Sequence, residues 1–180
     1  MTDTALISGG ARSGKSAFAL KWALSRGDRR IFVATAQVFD DEMRQRALNH
    51  QAERRDQFRT KECPFALEDT LRAMTDADVV VIDCLTMWLS NMQLAHVPAA
   101  TIEQRVATLS EVLKAARFHS IIVSNEVGMG IVPDNAMARS FRDLTGRAHQ
   151  ALAASSTELY FATMGTILRL RPAPVELVSV

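Results

Sequence analysis

The chain has 180 residues, of which 48% are hydrophobic, and its 21 basic and 20 acidic residues leave a formal net charge of +1. This length suffices for one sizeable core but not for two ordinary domains, so we expect a single domain over residues 1–180. The small net charge excludes an overall field that would attract nucleic acid or an anionic membrane. Because the sequence also lacks an apolar run of the roughly 18 residues that a membrane span needs, we expect neither nucleic acid as a partner nor stable membrane insertion.

The use of cysteine points to a reducing compartment. Cys63 and Cys84 are far apart, which suits neither a zinc site nor a disulfide framework. No basic stretch leads into an apolar segment near residue 1, as a secretory signal requires. We therefore expect a cytoplasmic protein.

The first predicted element is an apolar strand at residues 5–8, which runs directly into Gly-Gly-Ala-Arg-Ser-Gly-Lys-Ser at residues 9–16. This spacing of glycines before a Lys-Ser pair is typical of a phosphate-binding loop. Gly9 and Gly14 are expected to adopt backbone angles that a Cβ atom disfavours, so that successive amide N–H groups turn toward phosphate oxygens. The sequence therefore predicts a site for a nucleoside triphosphate here.

The helix predicted after this loop, over residues 15–26, completes the phosphate site. Lys15 would place its positive charge on the β and γ phosphates, and the hydroxyl of Ser16 would bind Mg²⁺. The N-terminus of the helix adds the positive end of its dipole. Gly27 is expected to end this helix as a C-cap.

Further along the chain, apolar runs rich in β-formers alternate with helical stretches, which is the pattern of a parallel sheet covered on both faces. We therefore predict a three-layer α/β fold of the P-loop NTPase type with a mostly parallel central sheet. A weakly alternating segment at residues 166–171 predicts a hairpin strand at the edge. The other predicted strands are residues 30–35, 79–83, 120–124 and 158–163, and the other predicted helices are residues 40–55, 66–75, 101–117 and 134–154.

The apolar run at residues 79–83 ends in a carboxylate, which is the form of a Walker B element. Asp83 would reach Mg²⁺ directly or through a bound water, provided that its strand lies near the strand of the phosphate loop. The alternative is an acidic residue that ends a strand and binds nothing. The next residue, Cys84, is expected to be a small buried packing residue rather than a reactive thiol.

The sequence does not indicate which base the nucleotide carries. Guanine-specific switch proteins read their base with Asn-Lys-x-Asp, and residues 125–128 read Asn-Glu-Val-Gly instead. Spacing therefore leaves adenine and guanine both open.

The helix predicted over residues 40–55 begins with acidic residues and ends with basic ones, as the helix dipole favours. Asp40, Asp41 and Glu42 are interpreted as capping residues. Binding of a metal by these carboxylates is the alternative.

Arg46, His50 and Arg54 follow one another at intervals of four and would share one face of that helix. A histidine in such a place is often only a solvated helix residue. However, guanidinium groups one turn away disfavour the imidazolium, and a neutral imidazole is a competent nucleophile. The same guanidiniums would hold a triphosphate and offset charge on departing pyrophosphate, so the spacing permits a covalent phosphoramidate. The histidines without such a setting, expected at the surface or in loops, are His96, His119 and His149.

Together these segments resemble one family, the bifunctional adenosylcobinamide kinase and adenosylcobinamide-phosphate guanylyltransferase, and the resemblance covers nearly the whole chain. The most specific shared run is Ser-Asn-Glu-Val-Gly-Met-Gly-Ile-Val-Pro at residues 124–133. The other shared elements are residues 9–16, Ala34 with Thr35, residues 40–43, Arg46 with His50 and Arg54, Thr60 with Glu62, residues 83–86 and residues 88–91.

The resemblance implies two reactions in the assembly of the nucleotide loop of adenosylcobalamin. A nucleoside triphosphate, ATP or GTP, phosphorylates the hydroxyl of adenosylcobinamide. GTP then guanylylates a histidine of the enzyme with release of pyrophosphate, and the GMP passes to adenosylcobinamide phosphate. On this chain the matching histidine is His50.

The resemblance also implies nucleotide contacts and an assembly. The assembly is a homotrimer, for which the apolar residues 85–95 offer an interface unless they are buried in the core of the monomer. The implied nucleotide contacts are Gly9, Gly10, Ala11, Arg12, Ser13, Gly14, Lys15 and Ser16, then Ala34, Thr35 and Ala36, then Gln51, Ala52, Glu53 and Arg54, and finally Glu62 and Asp83.

Four positions depart from the family pattern. Ala47 and Phe58 stand where a larger aliphatic residue and a tryptophan are expected, and His149 stands where asparagine is expected. Ala36 replaces a hydroxyl residue, so only its backbone could contact a nucleotide. These departures affect local packing and substrate contacts rather than the chemistry.

Two other functions share parts of this pattern. A monofunctional P-loop kinase of small molecules would use the same loop and Asp83 but would never modify His50. A RecA-like protein that uses ATP to change its binding to partners would need a basic strand-binding surface or an arginine finger, and the sequence identifies neither. No residue stands out in the sequence as a general base for the kinase step.

Overall fold

A sheet of eight strands forms the centre of the structure, a computed structural model that describes residues 2–37 and 55–178. Its strands are β1 (Thr4–Gly9), β2 (Arg30–Ala34), β3 (Arg59–Glu62), β4 (Val79–Asp83), β5 (His119–Asn125), β6 (Glu158–Thr163), β7 (Thr166–Arg171) and β8 (Glu176–Val178). Their order across the sheet is β3-β2-β4-β5-β1-β6-β7-β8. Strands β1 to β6 are parallel and the last two are antiparallel, as the predicted fold class requires.

Helices cover both faces of the sheet within the described residues. Phe18 and Trp22 of the first helix pack on one face with Ile7 and Val123 of the central strands. The four later helices pack on the other face, in a larger cluster of apolar side chains. The structure therefore confirms the three-layer prediction. The helices are α1 (Lys15–Leu24), α2 (Leu67–Arg72), α3 (Leu85–Leu94), α4 (Ala99–Ala115) and α5 (Ala136–Ser155), and a 3₁₀ turn lies at Arg55–Gln57.

The predicted strands all occur, with ends that move by at most one residue. The hairpin strand β7 was predicted at an edge, and this was wrong because β8 pairs with its outer side. Strand β3 was missed because its four residues, Arg-Thr-Lys-Glu, are all exposed and carry no apolar alternation. The helix predicted over residues 40–55 lies outside the described residues, apart from its last position.

Helix α3 occupies most of the apolar residues 85–95. Leu85, Trp88, Leu89 and Met92 are fully buried inside the monomer, whereas Leu94 is 52% exposed. Most of this segment therefore belongs to the core of the monomer. None of the helices in the described ranges is long and apolar enough to cross a membrane.

Gly27 does not act as the predicted C-cap. Helix α1 ends at Leu24, and Ser25 caps it in a right-handed conformation. A Cβ atom at position 27 would collide with the Cβ atom of Asp78. The carboxylate of Asp78 accepts hydrogen bonds from the backbone N–H groups of Asp28 and Arg29, just before β2. Gly27 is therefore required because a larger residue would displace the Asp78 side chain.

Candidate active site

The phosphate loop joins β1 to α1 at the carboxyl edge of the sheet. Gly14 has a φ of 96°, a left-handed conformation that glycine adopts at little cost, and Arg12 has a φ of 55°. Gly9 has no positive φ, contrary to the prediction. A Cβ atom there would collide with the carbonyl oxygen of Ala162 on β6. Gly9 is therefore required by the close approach of β6, and Gly14 by its backbone angle.

The turn between β6 and β7 supports this loop from outside. Its two central residues, Met164 and Gly165, have φ values of 50° and 75°, as in a type I′ turn. The Gly165 N–H donates to the carbonyl oxygen of Ser13 at 3.2 Å. Its Cα lies 3.6 Å from the point where a Cβ atom on Gly14 would stand. The hairpin thus fixes the middle of the phosphate loop.

The N-terminus of α1 is open to an anion. Its N-cap is Gly14, its first turn contains no acidic residue, and no side chain among the described residues caps it. The N–H groups of the first turn and the positive end of the dipole are therefore available to a phosphate. Ser16 lies in this turn and is half-buried.

Lys15 folds over the loop that it follows. Its Nζ donates to the carbonyl oxygen of Gly10 at 2.9 Å, and only 8% of the residue is exposed. Burial lowers the pKa of Lys15, while the charges of Asp83 and Cys84 act in the opposite direction. The ammonium group is therefore held at the Gly10 carbonyl of the phosphate loop, where the charge of Asp83 also acts on it.

Asp83 ends β4 at the same edge. Strand β5 lies between β4 and β1, and it pairs with both in register, Asp83 with Val123 and Gly9 with Asn125. Residues 2–37 and 55–178 contain no group of three or more His, Cys, Asp or Glu that could hold a metal. This arrangement fits Mg²⁺, which proteins usually bind through one or two oxygens together with substrate phosphates. Ser16 and Asp83 are the residues that would hold it.

A buried hydrogen-bond network fixes the backbone around Asp83. The hydroxyl of Thr35 accepts the Cys84 N–H at 2.8 Å and donates to the Cys84 carbonyl at 2.7 Å. The Thr35 N–H donates to the Asp83 carbonyl at 3.2 Å. The Asn91 amide of α3 donates to the Thr35 carbonyl at 2.7 Å. The ends of β2 and β4 are therefore held together behind the candidate metal site.

A family model described as cobinamide kinase / cobinamide phosphate guanyltransferase matches residues 5–170. The chain belongs to this family.

Curated relatives of the cobinamide kinase family agree over nearly the full length. The bifunctional adenosylcobalamin biosynthesis protein CobP of Pseudomonas aeruginosa is 40% identical over 94% of this chain and 98% of the relative. The corresponding CobU proteins of Salmonella typhimurium and Escherichia coli are 34% and 31% identical, each over 92% of this chain and 98% of the relative.

Solved structures of low identity show the fold alone. The RadB recombinase has a TM-score of 0.54 and 16% identity, over 93% of this chain and 79% of that chain. An ATPase of the type III secretion system of pathogenic bacteria has a TM-score of 0.58 and 12% identity, over 90% of this chain and 51% of that chain. These likenesses agree with the three-layer α/β fold of this chain.

The described residues that the family resemblance selects lie along the carboxyl edge of the sheet. Ala34 ends β2, Glu62 ends the exposed edge strand β3, and Asp83 ends β4. Thr35 is fully buried and Ala36 is exposed. Their contacts with a nucleotide stay predictions. Outside the described residues lie Arg46, His50, Gln51, Ala52, Glu53 and Arg54.

Sequence reasoning missed a polar group beside the loop. His149, expected at the surface or in a loop, lies on α5 with 15% of its side chain exposed. Its Nε2 is 2.6 Å from the hydroxyl of Ser124, and its Nδ1 is 3.8 Å from Glu126. Burial lowers the pKa of His149, and the charge of Glu126 opposes this. The available signal was the departure from the family pattern at position 149.

The other two histidines outside the 40–55 segment differ from each other. His96 is exposed, as predicted. His119 begins β5, and its Nδ1 accepts the Asp3 N–H at 3.0 Å. The prediction for His119 was wrong because a backbone donor 116 residues away in the sequence holds its ring.

Proposed function

We propose that this chain, as one catalytic domain over residues 1–180, phosphorylates adenosylcobinamide and then transfers GMP from GTP to adenosylcobinamide phosphate. The main support is the phosphate loop with Lys15 and Asp83 at one sheet edge, in a chain of the cobinamide kinase family. Both reactions need a bound triphosphate, ATP or GTP in the first and GTP in the second.

In the kinase step, the loop amides and Lys15 hold the β and γ phosphates. The hydroxyl oxygen of the acceptor forms a bond to the γ-phosphorus as the bond to the β–γ bridging oxygen breaks. Positioning and charge stabilisation account for most of the catalysis in such transfers. When Mg²⁺ is bound by Ser16 and Asp83, it neutralises charge on the phosphate oxygens.

In the guanylyl step, an imidazole nitrogen of His50 bonds to the α-phosphorus of GTP, and pyrophosphate leaves with the bonding electrons. Arg46 and Arg54 offset the charge of this leaving group. A phosphate oxygen of adenosylcobinamide phosphate then attacks the same phosphorus and releases His50. The covalent intermediate divides one difficult transfer into two easier ones.

The decisive experiment uses GTP labelled at the α-phosphate. Wild-type protein should acquire a label that is labile in acid and stable in alkali, as a phosphoramidate is, and His50→Ala should acquire none. His96→Ala is the matched control, since His96 is an exposed histidine of the same chain, and it should label like wild type. An unlabelled wild type, or equal labelling of His50→Ala, would contradict the mechanism.

The label distinguishes the proposed enzyme from both alternative functions, and an assay of phosphate transfer to adenosylcobinamide distinguishes these two from each other. A monofunctional kinase would transfer the γ-phosphate to adenosylcobinamide without any protein label. A RecA-like protein would hydrolyse ATP with no corrinoid product at all. Family membership over residues 5–170 favours the bifunctional enzyme over both.

We further propose that the enzyme is cytoplasmic and assembles as a homotrimer. The free, buried thiols of Cys63 and Cys84 support a reducing compartment such as the cytoplasm. The family resemblance supports the homotrimer. Sedimentation of the purified protein would measure its mass directly.

A further inference from the structure

We propose that Glu126 is the proton acceptor of the kinase step and that His149 positions its carboxylate. This inference rests on the proposed function, because it concerns the acceptor hydroxyl of that reaction. It supplies the general base that the sequence did not reveal.

Glu126 stands beside the phosphate loop. It follows β5, which lies between the strand of the loop and the strand of Asp83. Its backbone N–H donates to the carbonyl oxygen of Gly9 at 2.9 Å, so the first residue of the phosphate loop holds it directly. Its side chain is 20% exposed. A carboxylate is thus present at the loop in addition to the one assigned to Mg²⁺.

The side chain of Glu126 faces α5, since its Oε2 lies 3.8 Å from the Nδ1 of His149 on that helix. Helix α1, which carries Lys15, packs on one face of the sheet, and α5 packs on the other. In the proposed complex, Lys15 and Glu126 therefore stand on opposite sides of phosphates held by the loop. An acceptor hydroxyl that entered from the α5 side would then meet the Glu126 carboxylate.

A hydrogen bond to one oxygen orients this carboxylate, and the His149 ring lies near the other. The Gly128 N–H donates to its Oε1 at 2.6 Å, and a Cβ atom at position 128 would come within 2.8 Å of that oxygen. The Nδ1 of His149 faces its Oε2 at 3.8 Å. Each carboxylate oxygen has a second lone pair, so these contacts leave acceptor capacity for a substrate proton.

His149 is itself held in place by a partner on β5. Its Nε2 lies 2.6 Å from the Oγ of Ser124, which is fully buried. We assign the neutral tautomer in which Nε2 accepts the Ser124 O–H and Nδ1 carries the hydrogen toward Glu126, because it places a donor opposite the carboxylate. Ser124, His149 and Glu126 therefore form a chain of contacts from the core to the edge of the site. His149 acts only through Glu126.

The step balances as follows. The acceptor oxygen bonds to the γ-phosphorus, the bond from phosphorus to the bridging oxygen breaks, and the nucleoside diphosphate leaves with that electron pair. The proton of the acceptor hydroxyl moves to Glu126, which later releases it to solvent. Protein kinases use a carboxylate in this role, and general-base assistance contributes about 10²- to 10⁴-fold to rate.

The test compares two reactions of the same full-length protein: phosphoryl transfer to adenosylcobinamide and labelling of the protein by α-labelled GTP. Glu126→Gln keeps an oxygen for the Gly128 N–H but accepts no proton. We expect its kinase kcat to fall at least about 100-fold, with its KM for nucleotide and its GTP labelling within about threefold of wild type. Glu103→Gln is the matched control, since Glu103 is an exposed carboxylate that pairs with Arg147 at 2.8 Å, and it should behave like wild type.

His149 is tested through its dependence on Glu126. His149→Ala should lower kinase kcat about tenfold with little change in KM, and His149→Asn, whose amide also donates, should restore most of the rate. In the Glu126→Gln background, His149→Ala should cause no further loss, because the two residues act as one unit. Additive losses would overturn the positioning role.

The remaining outcomes distinguish an error in the assignment of Glu126 from an error in the proposed function. A normal kinase rate in Glu126→Gln, or an equal fall of kinase rate and GTP labelling, overturns the assignment of Glu126 while the proposed function stands. A wild-type protein that fails to phosphorylate adenosylcobinamide overturns both.

Discussion

At the scale of single residues, burial decides which groups react. The Cys84 Sγ lies 3.1 Å from the Thr86 hydroxyl, and burial, followed by the charge of Asp83, raises the pKa of the Cys84 thiol to about 11. Because the thiolate is the reactive form, we predict that Cys84 in the native protein resists iodoacetamide at pH 7.5. Urea should expose it to rapid alkylation. Peptide mass spectrometry measures both, and alkylation at equal rates with and without urea would contradict the prediction.

Burial of His149 has a consequence for the pH dependence of stability. Because burial lowers its pKa below the ordinary 6.5, the unfolded chain binds more protons than the folded one as pH falls through that value. Acidification from pH 7.5 to 5.5 should therefore destabilise the wild type more than His149→Asn, which lacks this titration. Urea unfolding at the two pH values gives the free energies. Equal losses in both proteins would show that His149 contributes nothing to acid sensitivity.

Residue spacing predicted Lys15 and Asp83 as site residues but did not indicate the Glu126 and His149 pair. The first two occur in motifs whose function depends on neighbours within a few residues. His149 meets Ser124 from 25 residues away, on a helix that had to be placed over the sheet first. Contacts of this kind follow from the fold and not from local pattern.

At the scale of elements, the β6–β7 turn carries a local cost. Met164 has a φ of 50° while 92% of the residue is exposed, so its side chain gains little from packing. The left-handed conformation costs a residue with a Cβ atom roughly 1 kcal/mol relative to glycine. Met164→Gly should therefore raise the free energy of unfolding by about 1 kcal/mol, as measured by urea unfolding. Met164→Ala, which keeps the Cβ atom, is the control and should stay within about 0.5 kcal/mol of wild type.

Which elements could be predicted depended on burial. Strand β4 is apolar and buried on both faces up to Asp83, so a continuous apolar run predicted it correctly. Strand β3 has no buried residue, and only its pairing with β2 makes it a strand. Helix α3 was not predicted, because a largely buried helix lacks the wide polar face that periodicity detects.

At the scale of the whole molecule, the loop after β5 and the first turn of α5 expose large apolar side chains, which are Met129, Ile131, Val132 and Met137. Ile131 is 97% exposed. Such patches mark interaction sites in soluble proteins. If the proposed homotrimer forms here, Ile131→Glu should reduce the sedimenting mass toward that of one chain. Val175→Glu, at an exposed apolar residue elsewhere, should not, and an unchanged mass for Ile131→Glu would assign the contact to another surface.

The fold class could be predicted from the sequence, but the order of the strands in the sheet could not. Alternating strands and helices favour a parallel sheet whichever strands are neighbours. The central position of β1 depends on pairings such as Thr4 with Ser120, which no local pattern encodes. Those pairings place Asn125 and Glu126 beside Gly9 at the start of the phosphate loop.

The hydrogen bond from Gly165 to Ser13 turns one backbone amide into a natural sensor. The donor, the Gly165 N–H, lies in the β6–β7 turn, and the acceptor, the Ser13 carbonyl, lies in the predicted phosphate loop. In a nitrogen-15 spectrum, the Gly165 cross-peak should shift when pyrophosphate is titrated in. Binding of an anion to the phosphate loop could thus be followed in solution without any chromophore, radioisotope or turnover.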